Sequence, residues 1–276
     1  MTSHDGAASA GATYLDSILA AKRRELSQPP RGPSDRELER EIERLPPARD
    51  LAEALRGGGG PRVIAEFKRA SPSEGTIRAE ADPEAIAREY VAAGAAAISV
   101  LTDRHFEGSL DDLSRVRRVV PVPVLRKDFI LARRQLLEAR AAGADAALLI
   151  VAALAPPRLK ELLDDARALG LAVLCEAHDE AEVERAMAAG ARIIGVNARD
   201  LRSFQVDIER CARLRALVPR SFTYVAESGI RDAADVARLR AAEVDAILVG
   251  TTLMRAPSPG AAMRELLGEV RTSEAP

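Results

Sequence analysis

Ala141-Ala142-Gly143-Ala144-Asp145-Ala146-Ala147-Leu148-Leu149-Ile150-Val151 is the stretch on which the fold turns. Gly143 stands where a helix should end, because a left-handed residue just past the last turn costs glycine little. The apolar run Ala146–Val151 is short and lacks polar alternation, as expected of a strand covered on both faces. Ala-Ala-Gly-Ala occurs at 92–95, 141–144 and 188–191, each time before an apolar run, so one helix-to-strand turn is reused. Eight such runs are present: Val63–Phe67, Ala97–Leu101, Val122–Lys127, Ala146–Val151, Ala172–Glu176, Ile193–Asn197, Thr223–Glu227 and Ala246–Gly250. Amphipathic stretches separate them, and Asp82-Pro83 and Ser109 have the chemistry of helix N-terminal caps. Strands alternating with helices predict β-α units, and eight units fill a closed (β/α)8 TIM barrel of about 250 residues with little to spare. An open doubly wound sheet is the rival topology.

The barrel is expected over 61–276. Before it, 14–60 predicts an N-terminal helical extension packed on the barrel, with helices at about 15–27 and 34–45, the second opened by a Ser34/Glu37 capping box. Gly57–Gly60 predicts a flexible joint at the boundary, and the polar, small residues 1–13 predict a disordered tail. The expectation is one domain overall and one enzyme, since the chain stops about where a barrel does.

The 276 residues are 47% apolar, enough for a large single core. A net charge of -2, from 40 basic and 42 acidic residues, favours neither nucleic acid nor a membrane surface, so any bound anion must be gripped locally. No signal peptide or membrane span is apparent, and Cys175 and Cys211 are too few and too far apart for a disulfide framework or a metal site; a cytoplasmic protein with reduced thiols is expected. His4, His105 and His178 lack metal-ligand spacing, so no metal is expected. The absence of Gly-x-Ser-x-Gly and Gly-x-Gly-x-x-Gly weighs against hydrolase and dinucleotide chemistry.

In a barrel, inward side chains alternate and functional groups collect at the C-terminal strand ends. Polar residues there should come in i, i+2 pairs, as Glu66 with Lys68 and Asn197 with Arg199 do. Lys127 precedes Phe129 by two, Glu176 closes the fifth run, and Glu227-Ser228-Gly229 closes the seventh. Such charges can neutralise one another in a polar plug, but five strands aiming them at one mouth favour a site. Ser228-Gly229 after the seventh strand and Gly250-Thr251 after the eighth have the character of a phosphate cradle opening a short extra helix.

Ile64-Ala65-Glu66-Phe67-Lys68-Arg69-Ala70-Ser71-Pro72-Ser73 resembles the first-strand signature of indole-3-glycerol-phosphate synthases. In the family's order follow Ser99-Val100-Leu101-Thr102-Asp103 with Gly108-Ser109-Leu110, Leu125-Arg126-Lys127-Asp128-Phe129-Ile130, Gly195-Val196-Asn197-Ala198-Arg199-Asp200-Leu201 and Glu227-Ser228-Gly229-Ile230. The resemblance runs from about Tyr14 to Leu267. It implies a carboxy-lyase of tryptophan biosynthesis that needs no cofactor and acts on a phosphorylated, carboxylate-bearing aromatic substrate.

By resemblance, Lys127 is the general acid, Glu176 handles protons in the dehydration, and Glu66 is a second carboxylate. Lys68, Asn197 and Ser228 complete the implied catalytic set. Implied substrate contacts are Ser71 and Arg199 for anion and hydroxyl groups, Phe129 and Leu148 for the aromatic ring, Ser228, Gly229, Gly250 and Thr251 for the phosphate, and Glu227. Two positions depart from the family's habit: Thr251 where serine is frequent, which keeps the hydroxyl, and Glu74 where lysine is common, which reverses a charge near the entrance. A phosphate-binding sugar isomerase and a non-catalytic binding barrel are the alternatives; two lysines with Asn197 and Arg199 suit the first less well, and the complete set of charged positions argues against the second. A monomer or homodimer, with or without a pathway-enzyme partner, is compatible with the surface.

Overall fold

The computed structural model describes residues 13–29, 32–71, 75–200 and 205–268. Eight parallel strands close a barrel: β1 (Arg62–Phe67), β2 (Ala97–Leu101), β3 (Val124–Lys127), β4 (Ala146–Ile150), β5 (Ala172–Ala177), β6 (Ile193–Asn197), β7 (Thr223–Glu227) and β8 (Ala246–Val249). Ile64 of β1 is in register with Ala97 of β2 on one side and Leu248 of β8 on the other, so no edge remains. The open-sheet topology is thereby excluded. Each expected strand lies within two residues of its place; β3 begins later because Pro121 and Pro123 cannot donate to a ladder.

Helices α1 (Tyr14–Leu26), α2 (Asp35–Ile42) and α3 (Leu51–Ala54) precede the barrel, and α4 (Pro83–Ala92), α5 (Leu110–Val119), α6 (Arg133–Ala141), α7 (Pro156–Ala168), α8 (Glu180–Ala189), α9 (Ile208–Arg215) and α10 (Ala233–Ala241) surround it. The eighth unit ends in α11 (Thr251–Arg255) and α12 (Pro259–Leu266). Asp82 and Ser109 cap α4 and α5 by accepting the Ala85 and Asp112 amides. The repeated glycines share one conformation, with φ of +92°, +93° and +96° at Gly94, Gly143 and Gly190.

Strand alternation divides the core in two. Ile64, Leu125, Leu148, Leu174, Ile193, Val225 and Leu248 fill the barrel. Val63, Phe67, Val100, Leu149, Val173, Ile194 and Ile247 pack outward with the helices.

Thr13 belongs to α1 rather than to a tail: its hydroxyl accepts the Asp16 amide at 3.2 Å while the Asp16 carboxylate accepts the Thr13 amide at 2.9 Å. The rest of the tail expected over residues 1–13, and Glu74, lie outside the described residues. α2 is opened as expected by Glu37, whose carboxylate accepts the Ser34 amide at 2.7 Å, but it stops at Ile42, short of Leu45. Pro46 and Pro47 disfavour helix in the residue ahead of each.

The segment before the glycine run is stitched to the barrel floor. Asp50 caps α3 through the Glu53 amide, and α3 delivers Leu51 and Leu55, both fully buried, into the inner cluster. Asp145 accepts the Arg49 amide at 2.8 Å and the Val124 amide at 2.9 Å, and Arg56 donates to the Thr223 hydroxyl at 3.1 Å. Gly57–Gly60 therefore joins two parts of one core. Leu51→Ala should cost about 2–5 kcal/mol of unfolding free energy, as core truncations do, in urea titrations followed by circular dichroism; a change within about 0.5 kcal/mol would contradict the plug.

Candidate active site

Eight strand ends and α1 enclose a cavity of about 460 Å³ at the C-terminal mouth of the barrel. Its floor is polar. Lys68 reaches back two residues to Glu66, Nζ to Oε1 2.8 Å, as the i, i+2 spacing demands. Across the floor, the Lys127 ammonium donates to Glu176 Oε2 at 3.1 Å and lies 3.7 Å from Glu227 Oε2.

These charges set one another's protonation. Burial, the largest influence on Lys127, pulls its pKa down, but Glu176, Glu227 and Glu66 together overcome it and hold the ammonium above its ordinary value. Burial pushes Glu176 up, yet Lys127, His178 and a hydrogen bond from Asn197 bring it below the usual carboxylate range. Glu227 goes the other way: burial first, then the neighbouring Glu176 charge, push it up to about 8 against the opposing pull of Lys127. Both Glu227 oxygens are buried without a hydrogen-bond partner among the described residues. Three carboxyl groups face two ammoniums, and a protonated Glu227 leaves this cup neutral.

Two glycines make the cup possible. A Cβ on Gly195 would collide with Glu227 Oε1, and one on Gly250 with Glu66 Oε1. The inward positions of β6 and the end of β8 are thus vacated for carboxylates rising from neighbouring strands.

Of the residues singled out in the sequence, Glu66, Lys68, Ser71, Lys127, Phe129, Leu148, Glu176, Asn197, Arg199, Ser228, Gly229, Gly250 and Thr251 line the cavity. Glu227 does not: it lies beneath the floor, touching the site through Lys127. Asn197 Oδ1 accepts the Arg199 amide at 3.0 Å, fixing the bend after β6. The Ser71 hydroxyl is buried without a partner among the described residues. Ser228 and Gly229 are both left-handed, with φ of +66° and +75°; for a serine this is a strained backbone, of a kind that clusters at ligand sites. Beside them Thr251 opens α11, whose first amides have no acceptor within the helix, so the two strand ends offer backbone donors to an anion.

The sequence did not single out the roof. Tyr14, Leu15 and Ile18 of α1 cover the cavity, and Phe106 stacks on Phe129 with ring centroids 6.2 Å apart. α1 is pinned by Lys22, buried between Asp103 Oδ2 at 2.7 Å and Asp128 Oδ1 at 3.2 Å. Burial would raise Asp128, but Arg126, Lys22 and Thr102 bring it down to about 2, so this anchor stays charged across the functional pH range. His178, set aside for want of a metal partner, stands directly behind Glu176.

A floor of paired acids and bases under a mostly apolar vault, with an anion cradle at one side, defines a phosphate-handling barrel enzyme. Residues 15–266 match the family Indole-3-glycerol phosphate synthase, and the chain belongs to that family. It is 50% identical to the indole-3-glycerol phosphate synthase of Koribacter versatilis, over 92% of this chain and 98% of that one, and 46% identical to that of Rhodopirellula baltica, over 92% and 99%. Among solved structures, a thiamine phosphate pyrophosphorylase from Pyrococcus furiosus superposes at TM-score 0.59 and 19% identity, covering 80% of this chain and 97% of that chain. A 3-hexulose-6-phosphate synthase from Salmonella typhimurium does so at TM-score 0.60 and 15% identity, over 76% and 100%. These last two share the fold.

Because the Glu227 pKa of about 8 exceeds its ordinary 4.5, folding takes up a proton between those values, and unfolding free energy should decline as pH rises from about 4.5 to 8. Glu227→Gln, which cannot titrate, should show a smaller decline in denaturant titrations at pH 5 and pH 8. Parallel pH dependences in the two proteins would contradict a protonated Glu227.

Proposed function

We propose that this chain converts 1-(2-carboxyphenylamino)-1-deoxyribulose 5-phosphate into indole-3-glycerol phosphate, carbon dioxide and water, the indole-forming step of tryptophan biosynthesis. The observation that carries the reading is the Lys127 ammonium, held between carboxylates under an apolar slot. The aromatic carbon bearing the carboxylate attacks the ketone carbon as Lys127 protonates the ketone oxygen. Carbon dioxide then leaves, and its bonding pair restores the aromatic ring. The new hydroxyl departs as water with a second proton, and Glu176 takes the carbon-bound proton whose loss completes the indole.

The raised pKa of Lys127 makes it a poor acid toward water and a competent one toward a developing alkoxide, which is more basic still. It therefore gives up its proton in the transition state rather than before. Glu227, protonated at neutral pH and 3.7 Å away, can restore it. Glu66 holds Lys68, which with Arg199 and the Ser71 hydroxyl receives the substrate's anionic and hydroxyl groups, Arg199 by its bidentate fork. Asn197 orients Glu176 through its hydrogen bond. Phe129 and Leu148 grip the ring, and Ser228, Gly229, Gly250 and Thr251 receive the phosphate. We place the enzyme in the cytoplasm, acting on a small phosphorylated molecule without nucleic acid or membrane; among the described residues no helix is long and apolar enough to cross a membrane.

The reaction is followed by the change in absorbance and fluorescence as the indole forms. Lys127→Ala should lower kcat by at least about a hundredfold, the range of a lost general acid, while the phosphorylated substrate still binds. Near-full turnover of that variant would overturn the mechanism. A wild-type protein that binds the phosphate ester without forming indole would overturn the function.

A further inference from the structure

The proton count of the reaction leaves one requirement that the floor of the site does not meet by itself. Two protons go to oxygen, one to the ketone and one to the departing hydroxyl, and one returns from carbon. The substrate's carboxylate leaves as neutral carbon dioxide, so each turnover consumes one proton from solvent. The groups that spend it are enclosed: Glu176 is 1% exposed, Glu227 likewise, and a bound substrate covers the mouth side of Lys127.

One half-buried polar group joins this cup to the outside. His178 follows β5, with Nε2 3.5 Å from Glu176 Oε1 and no hydrogen-bond partner for that nitrogen among the described residues. The opposite ring nitrogen, Nδ1, lies 3.1 Å from Glu182 Oε2 on α8, and the same oxygen accepts the His178 amide at 2.8 Å. Backbone and ring are thus both fixed by one carboxylate, with the free nitrogen aimed at the other. The side chains of His178 and Glu182 are 14% and 12% exposed, against 2% for Glu176.

We propose that His178 is a positioning residue and proton relay that resupplies Glu176 from solvent past the C-terminal end of β5. The imidazolium gives its Nε2 proton to the Glu176 carboxylate, leaving a neutral ring whose Nδ1–H still donates to Glu182; Nε2 is reloaded from water between turnovers, and Glu176 hands on to Lys127 along the 3.1 Å contact. Atoms and charge balance: one proton enters as one carboxylate charge is lost. The charged groups facing the ring are Glu176 on β5, Glu182 on α8 and Arg210 on α9; burial lowers the imidazole's pKa most, Arg210 lowers it further, and the two glutamates more than compensate, so it is raised.

The relay rests on the indole-forming reading, and full-length variants separate the two. With the wild type turning over, His178→Asn and His178→Ala should lose about tenfold or more in kcat, the low side of what proton transfer contributes, with KM within about twofold. Added imidazole should restore His178→Ala in a concentration-dependent way, which a lost structural contact would not permit. Should both variants fail to fold, Glu182→Gln answers instead: it removes a carboxylate that raises the imidazole's pKa, so the basic limb of the kcat profile should move to lower pH. Unchanged kcat, a loss that imidazole does not restore, or an unmoved limb in Glu182→Gln overturns the relay alone. A wild type with no turnover overturns the reading beneath it, and the relay with it.

Discussion

Lys127 carries its charge into a space that would otherwise be aliphatic, and the rest of the mouth is organised by the need to keep that charge there. An isolated buried ammonium would lose its proton, since desolvation outweighs any benefit of folding around it. Three carboxyl groups reverse the balance, but three ionised carboxylates against two ammoniums would leave a surplus negative charge in a poorly solvated cup. Glu227 removes the surplus by holding a proton, and the same proton sits within reach of the lysine that spends one. Electrostatic neutrality and acid supply are one arrangement.

That arrangement depends on absent side chains. Gly195 and Gly250 occupy inward positions beside the carboxylates of neighbouring strands, and a methyl group at either would strike a carboxylate of the cup. The aliphatic layer begins immediately below, with Leu125, Leu148 and Leu174, and is sealed from underneath by Leu51 and Leu55. The barrel is therefore packed at one end and hollow at the other, which lets it bear a polar site without surrendering its core.

The strands and the floor of the site were legible because both follow from periodicity: inward residues alternate, and a repeated Ala-Ala-Gly-Ala turn marks where each of three strands begins. Glu66, Lys68, Lys127, Glu176 and Asn197 could be placed on one mouth by counting in twos. What escaped has no period. α3 is four residues long, below the length at which an apolar stripe can be recognised, although Asp50 was available as a cap. His178 looked idle because a histidine's partners are set by tertiary contact, here the neighbouring helix and strand, and not by spacing. The absence of Glu227 from the cavity wall depends on how its neighbours pack over it, which sequence alternation does not reveal. The roof residues Tyr14, Leu15 and Ile18 precede the barrel by some fifty positions and meet it only in three dimensions.

α1 is held to the barrel by Lys22, near its far end, while its first turn overhangs the cavity. It is a cantilever, fixed through ions at Asp103 and Asp128 and bearing its apolar load at the tip. The chemistry resides on strands, whose positions are locked by the ladder, and the cover resides on a beam outside the repeat. Leu15 and Ile18 can then be exchanged to reshape the space over the aromatic ring without displacing an acid or a base, so selectivity toward the ring and the rate of the chemical step are separately adjustable parts of one molecule.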